Sequence, residues 1–71
     1  MIKATIWTLT PYKNKVIAFV QAKGYTDIEK MVGGFTVRIN SKNEDAVLLL
    51  TELRHQFPHA YTSGWTEPIN E

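Results

Sequence analysis

A chain of 71 residues with no cysteine holds one small domain, and its core must be apolar, because neither a disulfide framework nor a cysteine-ligated zinc can support it. Eight Lys/Arg against seven Asp/Glu leave a net charge of +1, which excludes a strong electrostatic reason for a phosphate-rich partner, and the length excludes a large multi-site enzyme. No apolar run nears the ~20 residues of a membrane span and none follows a basic start, so the chain reads as complete and cytoplasmic.

Ile2 to Thr10 alternate: Ile2, Ala4, Ile6 and Thr8 share one side, Lys3, Thr5, Trp7 and Leu9 the other, which is the period of a first strand. The period then changes. Thr10 suits an N-cap, Pro11 the first helical position and Gly24 a C-terminal stop, and between them Tyr12, Val16, Phe19 and Val20 form one apolar helical face, with Ile17 on its flank. "TDIEKMV" is too short and mixed for a secure helix, but Gly33-Gly34 and the alternating "FTVRIN" that follows give a hairpin signal, the glycines supplying the positive φ such a turn demands. In that third strand Phe35, Val37 and Ile39 oppose Thr36 and Arg38. "SKNE", Ser41 to Glu44, has capping-box spacing and predicts a second helix with Ala46, Leu49, Leu50, Leu53 and Phe57 on one face and Pro58 as its stop. "HAYTSGW" supplies a fourth strand; residues 1–65 form the domain, and 66–71 read as a polar tail with a poor chance of order.

The order βαββαβ predicts an α+β fold: a four-stranded antiparallel sheet with two helices on one face. Right-handed crossovers put the first and third strands in the middle, a ferredoxin-like arrangement with the other sheet face open. If Ile2, Ala4, Ile6, Phe35, Val37 and Ile39 face the helices, strand parity turns Lys3, Thr5, Trp7, Thr36 and Arg38 to the open side. Placing Ala60 and Thr62 inward adds Tyr61, Ser63 and Trp65. The candidate binding residues are therefore Thr5, Trp7, Thr36, Arg38, Tyr61 and Trp65, a set of aromatic plates, hydroxyls and a guanidinium suited to sugar rings, bases or another protein's aromatic residues. A second reading stands beside it: Trp7 covers the sheet against the Arg38 stem and Tyr61, Trp65 folds over the core edge, and Arg38 is a solvated charge. "AVLLLTEL" holds more apolar residues than one helix face buries, and at about 3.6 residues per turn Leu48 points roughly opposite Leu50. Leu48 and Ile17 are the candidates for a partner or homodimer contact.

His55 and His59 straddle Pro58 without a third ligand, so no metal site is expected. The serines and threonines lack a His/Asp setting, Glu44, Asp45 and Glu52 lack a counter-carboxylate, and the glycines form no phosphate loop; neither an enzyme nor a cofactor is expected.

The stretch "GFTVRINSKNEDAVLLLTELRHQFPHAYTS" resembles the SPOR domain family, whose members show an aromatic Y-x-V-x-V strand, an acidic-Ala helix start with Leu spacing, and a segment like F-P-x-A-F-V. Phe35, Val37, Ile39, Asp45, Ala46, Leu49, Leu53, Phe57, Pro58, Ala60 and Tyr61 fill that pattern, and "QAKGY" is similar to the family's usual end of the first helix. One difference is that the Gly-x-Phe usual after the third strand is absent, Asn40 leading straight to Ser41. The resemblance implies a βαββαβ fold binding peptidoglycan glycan strands through its sheet face, here by Thr5, Trp7, Thr36 and Arg38. The residues alone favour a small non-catalytic intracellular adaptor or inhibitor that recognises a protein partner through the open sheet face or a helix edge, of the kind phage accessory proteins represent. SPOR-like glycan binding, single-stranded nucleic acid or nucleotide binding on the sheet, and an ACT-like ligand-sensitive dimer are the alternatives.

Overall fold

The computed structural model describes residues 1–69. Along the chain run β1 (Ile2–Thr8), a 3-10 turn (Thr10–Tyr12), α1 (Lys13–Ala22), β2 (Ile28–Met31), β3 (Gly34–Ile39), α2 (Asn43–Gln56) and β4 (Tyr61–Pro68). The strands form one antiparallel sheet in the order β2-β3-β1-β4, so β1 and β3 are the inner pair. Ile2, Ala4 and Ile6 from β1 and Phe35, Val37 and Ile39 from β3 are buried in a single cluster with Val16, Ile17 and Val20 of α1 and Ala46, Leu49 and Leu53 of α2. Burying these side chains, at about 25 cal/mol per Å² of apolar surface, is what holds a cysteine-free chain of this size together.

Glycine sets the breaks. At the end of α1 the Gly24 N–H donates to the Gln21 carbonyl and the Tyr25 N–H to the Val20 carbonyl, with Gly24 at φ +97°: this is a Schellman stop, and it seats Tyr25 against the core. Val32 and Gly33 (φ +84°) connect Met31 to Gly34, which pair with each other, so a hairpin is present with "IEKM" as its first strand, but its turn is Val32-Gly33 and not the glycine pair: only Gly33 takes a positive φ, and Gly34 opens β3. The Lys13 ammonium donates to the Met31 carbonyl at 2.9 Å and ties the start of α1 to this hairpin.

Several local expectations give way. Thr10 makes no side-chain cap; it opens the 3-10 turn, and α1 starts after Tyr12, which stays exposed while Ile17 replaces it in the core. Ile17 is only 5% exposed and is withdrawn as a contact residue, because α1 presents Val16, Ile17 and Val20 as adjacent positions of one broad buried face. Ser41 forms no capping box: Lys42 is the N-cap of α2, and the Ser41 hydroxyl donates to the Asp45 carboxylate instead. Thr66, Glu67 and Pro68, assigned to a tail from sequence, continue β4, because β1 is an inner strand and needs a partner down to Ile2, which pairs with Pro68. Of that tail, Asn70 and Glu71 lie outside the described residues. No helix among the described residues is long and apolar enough to cross a membrane.

Candidate functional site

The strand register turns the face away from the helices into a grid of three rows. Nearest the chain start, Glu67, Lys3 and Arg38 lie side by side on β4, β1 and β3. The middle row is Trp65, Thr5, Thr36 and Glu29, the last on β2, and the third is Ser63, Trp7, Gly34 and Met31. Successive rows are two residues apart along each strand, so all these positions share one face.

Trp7 and Trp65 sit diagonally on this grid with ring centroids 6.0 Å apart and planes tilted by 42°. The Trp7 indole lies over the hairpin turn: a Cβ added at Gly33 would meet its Cε3 and Cζ3 atoms at 3.4 Å. Held between the turn and Trp65, Trp7 is half-buried, whereas Trp65 remains 46% exposed. Trp7 thus packs on Gly33 and Trp65 and not on Tyr61, and its ring flanks the exposed one. Tilted pairs of this kind are favourable beyond the area they cover, by about 0.5–1.5 kcal/mol.

Charges on the face cancel. Lys3 and Arg38 stand directly opposite each other, a repulsive cross-strand pair, and Glu67 relieves it through a 3.7 Å ion pair with Lys3. Both partners of that ion pair are substantially solvated, so it contributes little to stability. Glu29 brings a second carboxylate to a shallow cavity of ≈ 190 Å³ lined by Lys3, Glu29, Met31, Thr36 and Arg38. The surface is therefore an aromatic pair at one end and a balanced charged hollow at the other, joined by hydroxyls.

Two of the candidate residues are displaced from the surface. Thr5 is on the expected side but only 5% exposed, because it occupies the centre of the grid between Lys3 and Trp7 along its strand and Thr36 and Trp65 across; it is the floor of the site. Tyr61 is on the other side. The β1–β4 register shifts between Trp7, paired with Ser63, and Thr8, paired with Tyr61, so Thr62 is an extra residue that reverses parity. Tyr61 consequently packs on the core from the helix side, while Thr62, expected inward, is exposed and donates its hydroxyl to the Trp7 carbonyl at 2.8 Å. Burial raises the Tyr61 phenol above its ordinary 10.0, against the lowering pull of the Arg54 guanidinium on α2. Trp7, Trp65, Thr36 and Arg38 keep the places expected of them.

Glu29, Met31 and Glu67 were not anticipated. For Glu29 and Met31 the signal was available in the hairpin: once "IEKM" is a strand turning at Val32-Gly33, register fixes Glu29 beside Thr36. On the helix side Leu48 is 58% exposed, above a hollow with Lys23, Tyr25 and Glu52, across which Lys23 and Glu52 form an ion pair. His55 and His59 are both exposed, and among the described residues no group of three or more His, Asp or Glu side chains could hold a metal ion. Comparison of the chain with protein-family models finds no match, and no curated protein and no solved structure matches it significantly.

Proposed function

We propose that this is a small non-catalytic binding protein, of adaptor or inhibitor type, that recognises a protein partner through the open face of its sheet. The observation that carries the reading is the exposed Trp65 ring braced by Trp7 on a face that neither helix covers. An aromatic anchor ringed by hydroxyls and paired charges is the composition of a protein-recognition patch, where Trp and Arg supply most of the energy and the rim fixes orientation. The ferredoxin-like assignment belongs to this proposal; the succession of elements and the inner position of β1 and β3 support it. So does the cytoplasmic setting, for which the absence of cysteine is the supporting feature.

The second reading is SPOR-like binding of peptidoglycan glycan strands, favoured by the same tryptophan pair, since flat rings stack on sugar faces. Nucleic acid is the weaker alternative, because the two cations of the face are matched by two carboxylates. Affinity capture from a lysate tests the reading when the wild-type chain is compared with Trp65→Ala and Arg38→Ala. A captured protein lost in both variants and kept with Leu48→Glu supports the open face. Capture indifferent to both, or lost with Leu48→Glu alone, refutes it. Pelleting with denuded peptidoglycan, abolished by Trp65→Ala, would replace it with the glycan reading.

A further inference from the structure

The two edges of the sheet differ in what they offer another strand. β2 is four residues long; of its outward backbone groups the Ile28 N–H is taken by the Thr26 carbonyl at 3.0 Å, and the next belong to Lys30, whose charge guards the edge. β4 is eight residues long, and among the described residues no strand pairs with its outer side. The Ile69 N–H donates to the Met1 carbonyl at 2.9 Å, which sets the alternation: Glu67, Trp65 and Ser63 point their backbone groups at β1, and Gly64 and Thr66 point theirs outward. Pro68 shares the outward phase but has no N–H, and Thr62 is the bulged residue. The free edge is therefore bracketed at Thr62 and Pro68, with Trp65 at its midpoint.

We propose that β4 pairs with β4 of a second copy of the chain, antiparallel about a two-fold axis at Trp65, making one continuous sheet. A window symmetric about one residue is what an isologous contact requires. In this register Gly64 of each copy exchanges N–H···O bonds with Thr66 of the other, and Trp65 meets its own copy in a non-hydrogen-bonded pair, where side chains approach most closely. The indoles then continue the aromatic pair already formed with Trp7. Thr62 to Thr66 carry no charge, so the segment meets itself without repulsion, and Glu67 falls opposite a Ser63 hydroxyl of the second copy. The helix side matches: Asn43 accepts from the Thr66 hydroxyl at 3.0 Å, Leu50 lies beside Gly64, and Val47, between them on the same face of α2 and 45% exposed, borders the edge where its counterpart would cover it.

Sedimentation velocity of the full chain over about 1 µM to 1 mM, with amide hydrogen exchange at matching concentrations, tests this. The expected result is a dimer in which protection of the Gly64 and Thr66 amides grows with concentration. Thr66→Pro, which removes an outward donor without touching the β1 ladder, and Trp65→Lys, which opposes two cations at the axis, should each weaken association at least tenfold while leaving amide exchange protection in the β1–β3 ladder intact. If Thr66→Pro fails to fold, Trp65→Lys and the exchange data decide. A monomer throughout, association unchanged in the folded variants, or exchange at Gly64 and Thr66 independent of concentration overturns the proposal. No other protein is in the assay, so its outcome is separate from that of the open-face reading.

Discussion

Gly34 is the position at which the platform under Trp7 can be broken most cleanly. Its φ is not positive, so alanine is conformationally permitted there; the obstacle is steric. A Cβ would fall on the Ile6 carbonyl oxygen, inside any real contact distance, and 3.0 Å from the Trp7 Cα, and both neighbours are backbone atoms of the inner strand β1. No rotamer change relieves this, so β3 must move away from β1 at the Trp7–Gly34 pair. Overpacking of a core costs about 1–3 kcal/mol when side chains can yield, so with backbone on the far side we expect about 3 kcal/mol or more. Gly24→Ala is the control: its φ of +97° makes a side chain strained, but the added Cβ meets nothing within 4 Å, so the cost is about 1 kcal/mol. With a urea slope of about 1 kcal/mol/M for a small domain, the midpoint should fall by about 3 M for Gly34→Ala and about 1 M for Gly24→Ala. Against a total stability of roughly 4–10 kcal/mol for this length, the first variant is at the margin of folding. Equal midpoints for the two variants would refute the close-approach argument.

Five further substitutions test other parts of the structure. Thr8 is 4% exposed and its hydroxyl has no partner among the described residues, so Thr8→Val, isosteric and apolar, should raise the urea stability by about 1 kcal/mol; a loss of similar size would mean the hydroxyl is bonded. Ile17→Ala should cost about 2–4 kcal/mol and Leu48→Ala less than about 0.5 kcal/mol in the same assay, since one is sealed in the core and the other solvated; the reverse ranking would move the boundary of the core. Because burial raises the Tyr61 phenol in the folded state, folding favours its neutral form: that contribution is complete below the unfolded value near 10.0 and disappears as pH rises through the folded value. Difference absorbance titration of the wild-type chain against Tyr61→Phe should show Tyr61 ionising above its ordinary 10.0, and Arg54→Ala should delay it further; ionisation of Tyr61 at or below 10.0 contradicts its helix-side placement.

The inner strands were legible in the sequence because both of their faces are specified: Ile2, Ala4 and Ile6, like Phe35, Val37 and Ile39, have polar or aromatic neighbours that cannot share the core. The Gly24 stop and Pro58 were legible for local reasons, one supplying a positive φ and the other unable to continue a helix. What escaped depends on partners far away in the chain. The bulge that exchanges Tyr61 and Thr62 is a property of how β4 meets β1, and "YTSGW" reads the same in either parity. Thr66 to Pro68 look like a tail because an edge strand with solvent around it needs no apolar signature; the length of β1, which must be paired on both sides, was the usable clue. Thr5 has the right direction, but its burial comes from the size of Trp65 and Trp7 around it, which parity does not encode. Glu29 and Glu67 balance Lys3 and Arg38 only once the cross-strand register is known.

Recognition through the sheet is tested most directly by placing a photo-crosslinking side chain at Thr36, in the middle row of the open face, and in a parallel sample at Glu52 on α2, then irradiating each in lysate and quantifying covalent adducts. The account predicts a discrete protein adduct from position 36, diminished when Trp65→Ala is added, and none of comparable yield from position 52. Adducts from position 52 alone would contradict it and move recognition to the helices.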